Sequence, residues 1–591
     1  MTFRRDRFWL APVLTLLLVM AGCSDATTEA SPFDVAIATL QRGDGVAAEA
    51  QLRGLLEEGA DREKLAPYLG QSELLQGNFV EARYWLGEGK FAEDTASHGF
   101  HMLGRLEMED GNLPAAGQAF DRAIGAGGED AGLWVDIARL RYRGGEQAQA
   151  FDAAARALEL GPDHAEALAL RGRLIRDTEG ADAALGWFER ALDANPDDPE
   201  LLGDFAASLG ETGRARDMLV AIRHLARVDP GNRKAFYLQS VLVARAGNYS
   251  LANRLLQRSG FVDRNVPAAL LLSGIIGIEQ GNYASAAAEL AKLDAQQPDN
   301  RRVSLLLARA LSLGHNDREL VSVFADRAKR ASASPYLQTL VARSYEALGD
   351  RRAAAALVDR SAQLGRPPFA TISGNTQLAV AATKDLDSGT DALRFVRAAI
   401  TQNQGERAVA TAQRFEKRFS GSGDARVLLA DTRLAAGSRK DALASFRTAA
   451  EIRNSWPIAY KTAALLASSG QPDKSAQTLQ RFASGQPFNI EALTMLAQYA
   501  AIRGDWDMAA QYADTVLTTG AARDASLLLL RAEIARQTGD LEAAVLFAET
   551  THDLLPMNGD AARLLAELYA EIDPDSDVAE IAAVKAKALT R

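Results

Sequence analysis

The sequence has a single cysteine among 591 residues, only 7% aromatic residues and an excess of acidic over basic side chains. One cysteine excludes an intrachain disulfide, a Cys-X-X-Cys redox pair and a cysteine-based zinc or iron–sulfur site. The formal net charge of -11 argues against non-specific nucleic-acid binding, which needs a basic surface. With 47% hydrophobic and 24% charged residues, the composition is that of a chain that folds.

The position of the cysteine explains why there is only one. Three arginines near the N terminus precede an apolar run over residues 8–20, an order typical of a secretory signal peptide and too short to span a membrane. Met20-Ala21-Gly22-Cys23 resembles the lipobox of bacterial lipoproteins, with Met in place of the usual Leu. The resemblance implies cleavage after residue 22 and attachment of acyl chains such as palmitate to Cys23.

The residue that follows the cysteine predicts the membrane in which the protein is anchored. Ser24 rather than Asp follows the cysteine, and among lipoproteins of enteric bacteria this implies transfer to the outer membrane. We therefore expect a protein anchored to the outer membrane of a bacterial envelope and facing the periplasm. The alternative is a soluble secreted protein whose cysteine has no such role, and retention in the inner membrane also stays open.

A glycine followed five residues later by a small residue recurs at intervals of 34 residues, at Gly43, Gly77, Gly111 and Gly145. The rhythm weakens at Gly180 and passes His315, but it otherwise continues at Gly213, Gly247, Gly281, Gly349, Gly405, Gly437, Gly470, Gly504 and Gly539. A fixed period of this length is the signature of a repeat array. The sequence thus predicts about fifteen repeats.

Each repeat is predicted to be a pair of amphipathic helices with the glycine at the turn between them. Apolar residues three and four apart precede the turns, as at Trp134 and Ile137, and place one face of the helix in the core. Small residues such as Gly104 allow close helix approach. Prolines such as Pro162 and Pro196 end the second helix.

The pattern resembles the tetratricopeptide repeat (TPR), whose consensus combines Trp, Leu, Gly and Tyr on the first helix with Ala, Phe, Ala and Pro on and after the second. The residues that match include Trp134, Leu103-Gly104, Tyr345, Phe120, Phe188, Phe324, Phe446, Ala123, Ala157 and Ala191. The resemblance covers residues 34 to about 570. It implies an all-α solenoid of helical hairpins in a right-handed superhelix. Other helical-hairpin repeats of slightly different period are the alternative.

The rhythm fails once, between Gly349 and Gly405, where Gly and Pro clusters interrupt it. We interpret this as a hinged junction between two arrays. The predicted organisation is a signal peptide at 1–22, a polar tether at 23–33, an N-terminal TPR array at 34–363, an irregular junction at 364–404, a C-terminal TPR array at 405–570 and a capping helix at 571–591.

No residue pattern predicts catalysis. His98 and His101 offer two metal ligands on one helix face, whereas a zinc site needs at least three, so we expect a solvated pair. No Walker loop or dinucleotide-binding glycine motif is present. The sequence therefore predicts no enzyme, no metal and no cofactor.

A row of arginines is the candidate binding site. In TPR arrays the first helices line the concave groove, and the position six residues before the turn glycine points into it. The candidate groove residues are Arg105, Arg139, Arg173, Arg309 and Arg343 in this row and Tyr142, Arg143 and Arg176 beside it. Stacked guanidiniums can bind carboxylates of an acidic peptide or an anionic polysaccharide. The alternative is that each pairs with a carboxylate of the chain, such as Glu107 or Asp136.

Two functions fit these features. The first is a non-catalytic, membrane-anchored scaffold that binds protein partners for an export or exopolysaccharide and protein-sorting system, since the architecture is similar to TPR-repeat lipoproteins of PEP-CTERM/exosortase systems. The second is a periplasmic TPR protein that contacts an anionic exopolysaccharide during secretion. Neither function involves nucleic acid.

Overall fold

The computed structural model describes residues 31–298, 300–330, 333–362 and 388–589. Within these ranges every regular element is a helix, which confirms the predicted all-α fold. The predicted signal peptide, Cys23 and residues 364–387 of the predicted junction lie outside the described residues. In the described part of the chain, no helix combines the length and apolar character needed to cross a bilayer.

The helices form two compact units, the first ending at Gly128 and the second beginning at Glu129. The described helices of the first unit are α1 (Pro32–Gln41), α2 (Gly45–Glu57), α3 (Arg62–Gln76), α4 (Phe79–Leu86), α5 (Ala96–Glu109) and α6 (Leu113–Gly125). Helix α1 begins at Pro32, inside the predicted tether, because Ser31 and Asp34 form a capping box at its start.

The second unit is a longer series of the same hairpins. Its helices before the predicted junction are α7 (Ala131–Arg143), α8 (Gln147–Leu160), α9 (Ala165–Thr178), α10 (Ala181–Ala194), α11 (Pro199–Glu211), α12 (Ala215–Val228), α13 (Arg233–Arg245), α14 (Tyr249–Ser259), α15 (Pro267–Glu279), α16 (Tyr283–Gln296), α17 (Arg301–Leu313), α18 (Asp317–Ala328), α19 (Pro335–Ala347) and α20 (Arg351–Ser361). The later helices are α21 (Gly389–Thr401), α22 (Gly405–Arg418), α23 (Gly423–Ala435), α24 (Arg439–Ile452), α25 (Trp456–Ser468), α26 (Pro472–Gly485), α27 (Ile490–Ile502), α28 (Trp506–Val516), α29 (Ala525–Gln537), α30 (Leu541–Leu554), α31 (Gly559–Ile572) and α32 (Asp577–Leu589). A π-helical turn, Leu517–Ala521, follows α28.

The predicted glycine turns lie between the two helices of successive hairpins. Gly77, for example, ends α3 in the left-handed conformation with a φ of 76°, which a residue without Cβ adopts without strain. Asn248 caps the following helix by accepting a hydrogen bond from the amide of Leu251. Asn78 and Asn282 follow the turn glycine in the same way, but their side chains make no capping hydrogen bond.

Close approach of the two helices holds each hairpin together. In the first unit, a Cβ on Gly104 would lie 2.3 Å from the ring of Phe120, which is buried. In the second unit, a Cβ on Gly172 would lie 2.7 Å from the ring of Phe188, also buried. The glycine therefore makes the space that the large side chain of the second helix fills.

The core continues from one hairpin to the next. Ile278 of α15, Leu307 of α17, Phe324 of α18, Val341 of α19 and Leu357 of α20 belong to one buried cluster. No hairpin in this stretch has a core of its own, so each depends on its neighbours for stability.

The second unit also contains contacts between hairpins that lie roughly eight repeats apart in sequence. The amide of Gly423 donates to Oε1 of Gln147 at 2.9 Å, and the amide of Ala148 donates to the carbonyl of Gly421 at 3.1 Å. One repeat further on, the amide of Asn454 donates to the carbonyl of Thr178. The turns of the earlier hairpins thus contact the inter-repeat loops of the later ones. We call these contacts between distant hairpins the lateral contacts.

The tightest of these contacts involves two glycines. A Cβ on Gly485 would lie 1.9 Å from the carbonyl oxygen of Glu179, and a Cβ on Gly180 would lie 2.1 Å from the carbonyl oxygen of Gly485. In the next repeat, the ring of Phe488 lies 2.8 Å from the Cβ position of Gly213. Two backbones meet here because neither carries a side chain.

These contacts bear on the predicted division into two arrays at 364–404. The boundary between the two compact units lies after Gly128, and the helices on both sides of the predicted junction belong to the second unit, where the lateral contacts join them. The junction itself stays a prediction, because residues 364–387 lie outside the described residues. Residues 389–401 form α21, which packs on α22 as an ordinary hairpin. The final pair, α31 and α32, covers the end of the described chain.

We predict that Gly485→Ala loosens the lateral contact without unfolding the hairpins. Alanine favours the helix by about 1 kcal/mol relative to glycine, but its Cβ would collide with the carbonyl oxygen of Glu179. Hydrogen exchange should accelerate at residues 178–180 and 485–488. Gly186→Ala is the matched control, because Gly186 lies in α10 with no atom near its Cβ position. Equal exchange in the two variants would contradict the prediction.

Candidate functional site

The row of arginines predicted to line the groove begins, in the second unit, with Arg139 on α7. Its Nη1 donates to Oδ1 of Asp136 at 2.8 Å and its Nη2 donates to Oε2 of Glu166 at 2.9 Å. Burial lowers the pKa of Arg139, but the two carboxylates outweigh this and raise it above its ordinary value. Arg139 is therefore held by carboxylates of the chain itself.

Arg173 on α9 repeats this arrangement one repeat later. Its Nε donates to Oδ2 of Asp204 at 2.6 Å and its Nη2 donates to Oε1 of Glu200 at 2.7 Å. Lys234 of α13 donates to the other oxygen of Asp204. Burial raises the pKa of Asp204, but the two cations outweigh it and hold that pKa below its ordinary value. Asp204 thus connects the first helices of three consecutive hairpins.

The residues predicted beside this row are also involved in polar contacts. The hydroxyl of Tyr142 donates to Asp177, and burial together with this carboxylate raises the pKa of Tyr142 to about 12. Arg176 is partly buried and attracts the carboxylate of Glu211, while Arg143 is exposed. The structure thus places these residues around α7 and α9, next to Arg139 and Arg173.

In the first unit, α5 carries Arg105 and the two histidines. The carboxylate of Glu107 pairs with Arg83 at 2.7 Å. The expectation of a solvated histidine pair is wrong. His101 is buried and packs against Phe120, and His98 stacks on Tyr68 with ring centroids 4.7 Å apart. The His-X-X-His spacing thus reflects helix packing.

The last two arginines of the row differ from Arg139 and Arg173. Arg309 on α17 is partly buried and Arg343 on α19 is exposed. Neither forms an ion pair with another described residue. Of these four arginines, Arg139 and Arg173 are thus neutralised by the chain, whereas Arg309 and Arg343 have no ion-pair partner among the described residues.

Asp136, predicted from the sequence as an alternative partner, does bind Arg139, but the two glutamates that also hold the row were missed. Glu166 and Glu200 lie 27 residues after Arg139 and Arg173 respectively, at the start of the next repeat. Because the repeat period is 34 residues, this spacing brings the two positions together on adjacent first helices. A comparison of these two positions across the repeats would have found the pairs.

Metal binding and catalysis each require a particular arrangement of side chains. Among the described residues, no group of three or more His, Cys, Asp or Glu side chains is arranged to hold a metal ion. A shallow pocket of about 240 Å³ lies between α10, α11 and α12 and is lined mainly by apolar residues such as Leu192 and Phe205. His224 in the lining of this pocket forms a hydrogen bond with Asp197 at 2.8 Å, and the described lining includes no Ser, Thr or Cys side chain.

Comparison with known proteins assigns the repeats. A family model described as a tetratricopeptide repeat matches residues 101–162, 135–199, 393–456 and 460–524. These segments are tetratricopeptide repeats. The TPR segments lie on both sides of residues 364–387, and the hairpins between and beyond them have the same helix–turn–helix form. No curated protein sequence matches the chain significantly.

Solved structures that match parts of the chain include TPR proteins. A TPR protein from Parabacteroides merdae is 17% identical over 41% of this chain and 95% of its own, with a TM-score of 0.29. YrrB, described as a TPR protein with an unusual peptide-binding site, is 21% identical over 32% of this chain and 95% of its own, with a TM-score of 0.25. The Cut9–Hcn1 structure is 12% identical over 95% of this chain and 99% of the matched chain, with a TM-score of 0.34.

We predict that Asp204→Asn destabilises the hairpins around α11. Removing the charge leaves Arg173 and Lys234 without their shared partner, and because both cations are partly exposed we expect a cost of about 2 kcal/mol at pH 7. Hydrogen exchange of α11 and α13 amides measures it, with exposed Asp193→Asn as control.

The pH dependence of this effect follows from the lowered pKa of Asp204. A carboxylate with a lowered pKa in the folded state stabilises the protein above its unfolded pKa of about 4 and loses that contribution as pH falls through the folded value. The difference between wild type and Asp204→Asn should therefore be full at pH 7 and shrink below about pH 4. A difference that is constant with pH would contradict the assignment.

Proposed function

We propose that this protein is a non-catalytic scaffold that binds other proteins through its TPR hairpins. The observation that carries the proposal is the repeat series itself. Hairpins of one type make up the described chain, and part of them belong to a repeat family that mediates protein–protein interactions. Stacked hairpins expose an extended surface, which suits a partner that contacts several repeats at once.

The proposed place of action is the bacterial envelope. The lipobox-like Met20-Ala21-Gly22-Cys23 supports a lipid anchor, and Ser24 supports the outer membrane, facing the periplasm. The similarity in architecture to TPR-repeat lipoproteins supports a role in an export system, such as one for exopolysaccharide or for PEP-CTERM protein sorting.

A second candidate function is contact with an anionic exopolysaccharide during secretion. It is favoured by Arg309 and Arg343, which carry positive charge that no described carboxylate pairs with. A polymer with one carboxylate per sugar would present acceptors to both arginines.

We predict that Cys23→Ser moves the protein from the membrane fraction to the soluble fraction after cell lysis. Serine has no thiol for diacylglyceryl transfer, and without acyl chains no described helix provides a membrane anchor. Labelled palmitate incorporated by the wild type should be absent from the variant. Ser24→Ala serves as the control and should remain acylated. Absence of palmitate label from the wild type would exclude the lipid anchor.

We predict that the tagged protein, extracted from membranes with mild detergent, co-purifies with a defined set of proteins. Arg343→Glu should weaken this capture several-fold, because it reverses an exposed charge in the predicted groove. The matched control is Arg254→Glu, which reverses an exposed charge on α14, a second helix of its hairpin. Capture of an anionic polysaccharide without protein would favour the second candidate function instead.

A further inference from the structure

Arg309 occupies the same repeat position as Arg139 and Arg173 but lacks their neighbours. Those two arginines each bind a glutamate 27 residues later, Glu166 and Glu200. The residue 27 positions after Arg309 is Tyr336. The aspartates that complete the other two sites, at 136 and 204, also have apolar counterparts here, Leu306 and Leu340. This repeat thus has the arginine but none of the three carboxylates that stand at the equivalent positions around Arg139 and Arg173.

A second cation lies on the same face of α17. Arg302 and Arg309 are seven residues apart, two helical turns, and therefore project on one side of the helix. The π-helical turn that follows α28 packs against this side, since Nη2 of Arg302 lies 2.9 Å from the Cβ position of Gly520. The contact is one of the lateral contacts between distant hairpins.

A third guanidinium, that of Arg523, follows this turn by two residues and repels the charge of Arg309. Burial is the main cause that lowers the pKa of Arg309, and the positive charge of Arg523 lowers it further. Glu279, Tyr283 and Tyr336 act in the opposite direction but are not ion-paired with it in the described structure. Arg309 is partly buried and Arg523 is exposed, so a like charge at the edge of the site repels a guanidinium that is partly withdrawn from solvent.

An external anion is the natural complement of such an arrangement. Oxyanions accept forked hydrogen bonds from guanidinium groups, and several guanidiniums around one oxyanion relieve their mutual repulsion. We propose that Arg302, Arg309 and Arg523 form a binding site for a carboxylate on an acidic segment of a protein partner. This inference rests on the proposed scaffold function, because it assigns the carboxylate to a bound protein.

Two observations favour an acidic peptide over a polysaccharide. Around Arg139 and Arg173, Glu and Asp side chains of the chain itself bind the guanidinium. An arginine at this repeat position therefore has a geometry that suits an amino-acid carboxylate. A polyanionic polymer needs a continuous series of available cations, whereas these two arginines are already neutralised. The site is local, as expected for one or two acidic side chains.

The test uses the full-length protein in detergent and a fluorescently labelled hexaglutamate peptide, with binding followed by anisotropy at low salt. We expect saturable binding that weakens about tenfold in Arg309→Gln and in Arg523→Gln, since each variant loses a charge-assisted hydrogen bond. Arg254→Gln is the matched control and should bind as the wild type does. Circular dichroism should show the same helix content in all variants, because removing either charge relieves a repulsion.

Competition identifies the ligand class. Inorganic phosphate and an oligouronate are added to the bound peptide, and the peptide assignment requires that the oligouronate displace it no better than unlabelled peptide of equal charge. Stronger displacement by the oligouronate or by phosphate would overturn that assignment. Absent binding, or equal binding in all variants, would overturn the site. Such a result leaves the scaffold function intact if membrane co-purification still recovers partner proteins, whereas loss of all protein capture overturns the scaffold itself.

Discussion

The structure depends on how closely the two helices of each hairpin approach. A glycine on the first helix faces a large apolar side chain on the second, as Gly172 faces Phe188, and the pair fixes the helix separation. The remaining apolar surface of a hairpin is covered only by its neighbours, so the core extends from repeat to repeat. The fixed period follows, because every repeat must present the same face to the next one. The polar residues on the exposed side are then brought into register as well.

That register determines the chemistry of the arginine row. Wherever an acidic residue begins the next repeat, as Glu166 does after Arg139, the guanidinium is neutralised within the chain. After Arg309 the same position is Tyr336, and no described carboxylate forms an ion pair with the guanidinium. A small number of substitutions at one repeat position therefore converts a structural ion pair into a candidate binding site. In an acidic protein, such local sites are where an anionic partner can bind.

Local features of the fold were predictable from sequence, and non-local ones were not. The turns and helices follow from glycine spacing and apolar periodicity, which act over a few residues. The contact between Glu179 and Gly485 joins hairpins that are far apart in sequence, and Gly485 has the sequence context of any helix end. His101 likewise has the spacing of a metal ligand, yet Phe120 of the partner helix covers it. Of the candidate site, the arginine positions were predictable, but their neutralisation depends on residues in the following repeat.

The lateral contacts connect the packing of the hairpins with the proposed carboxylate site. Gln147 and Gly423 hold distant hairpins together through a neutral hydrogen bond, whereas Arg309 and Arg523 bring like charges to the same kind of contact. The first interaction favours the contact and the second opposes it. A carboxylate placed between the two guanidiniums would replace repulsion with attraction, so a bound acidic segment would strengthen the contact it occupies. By linkage, the acidic segment binds more tightly when this contact is formed than when it is open, by the same free energy with which it strengthens the contact.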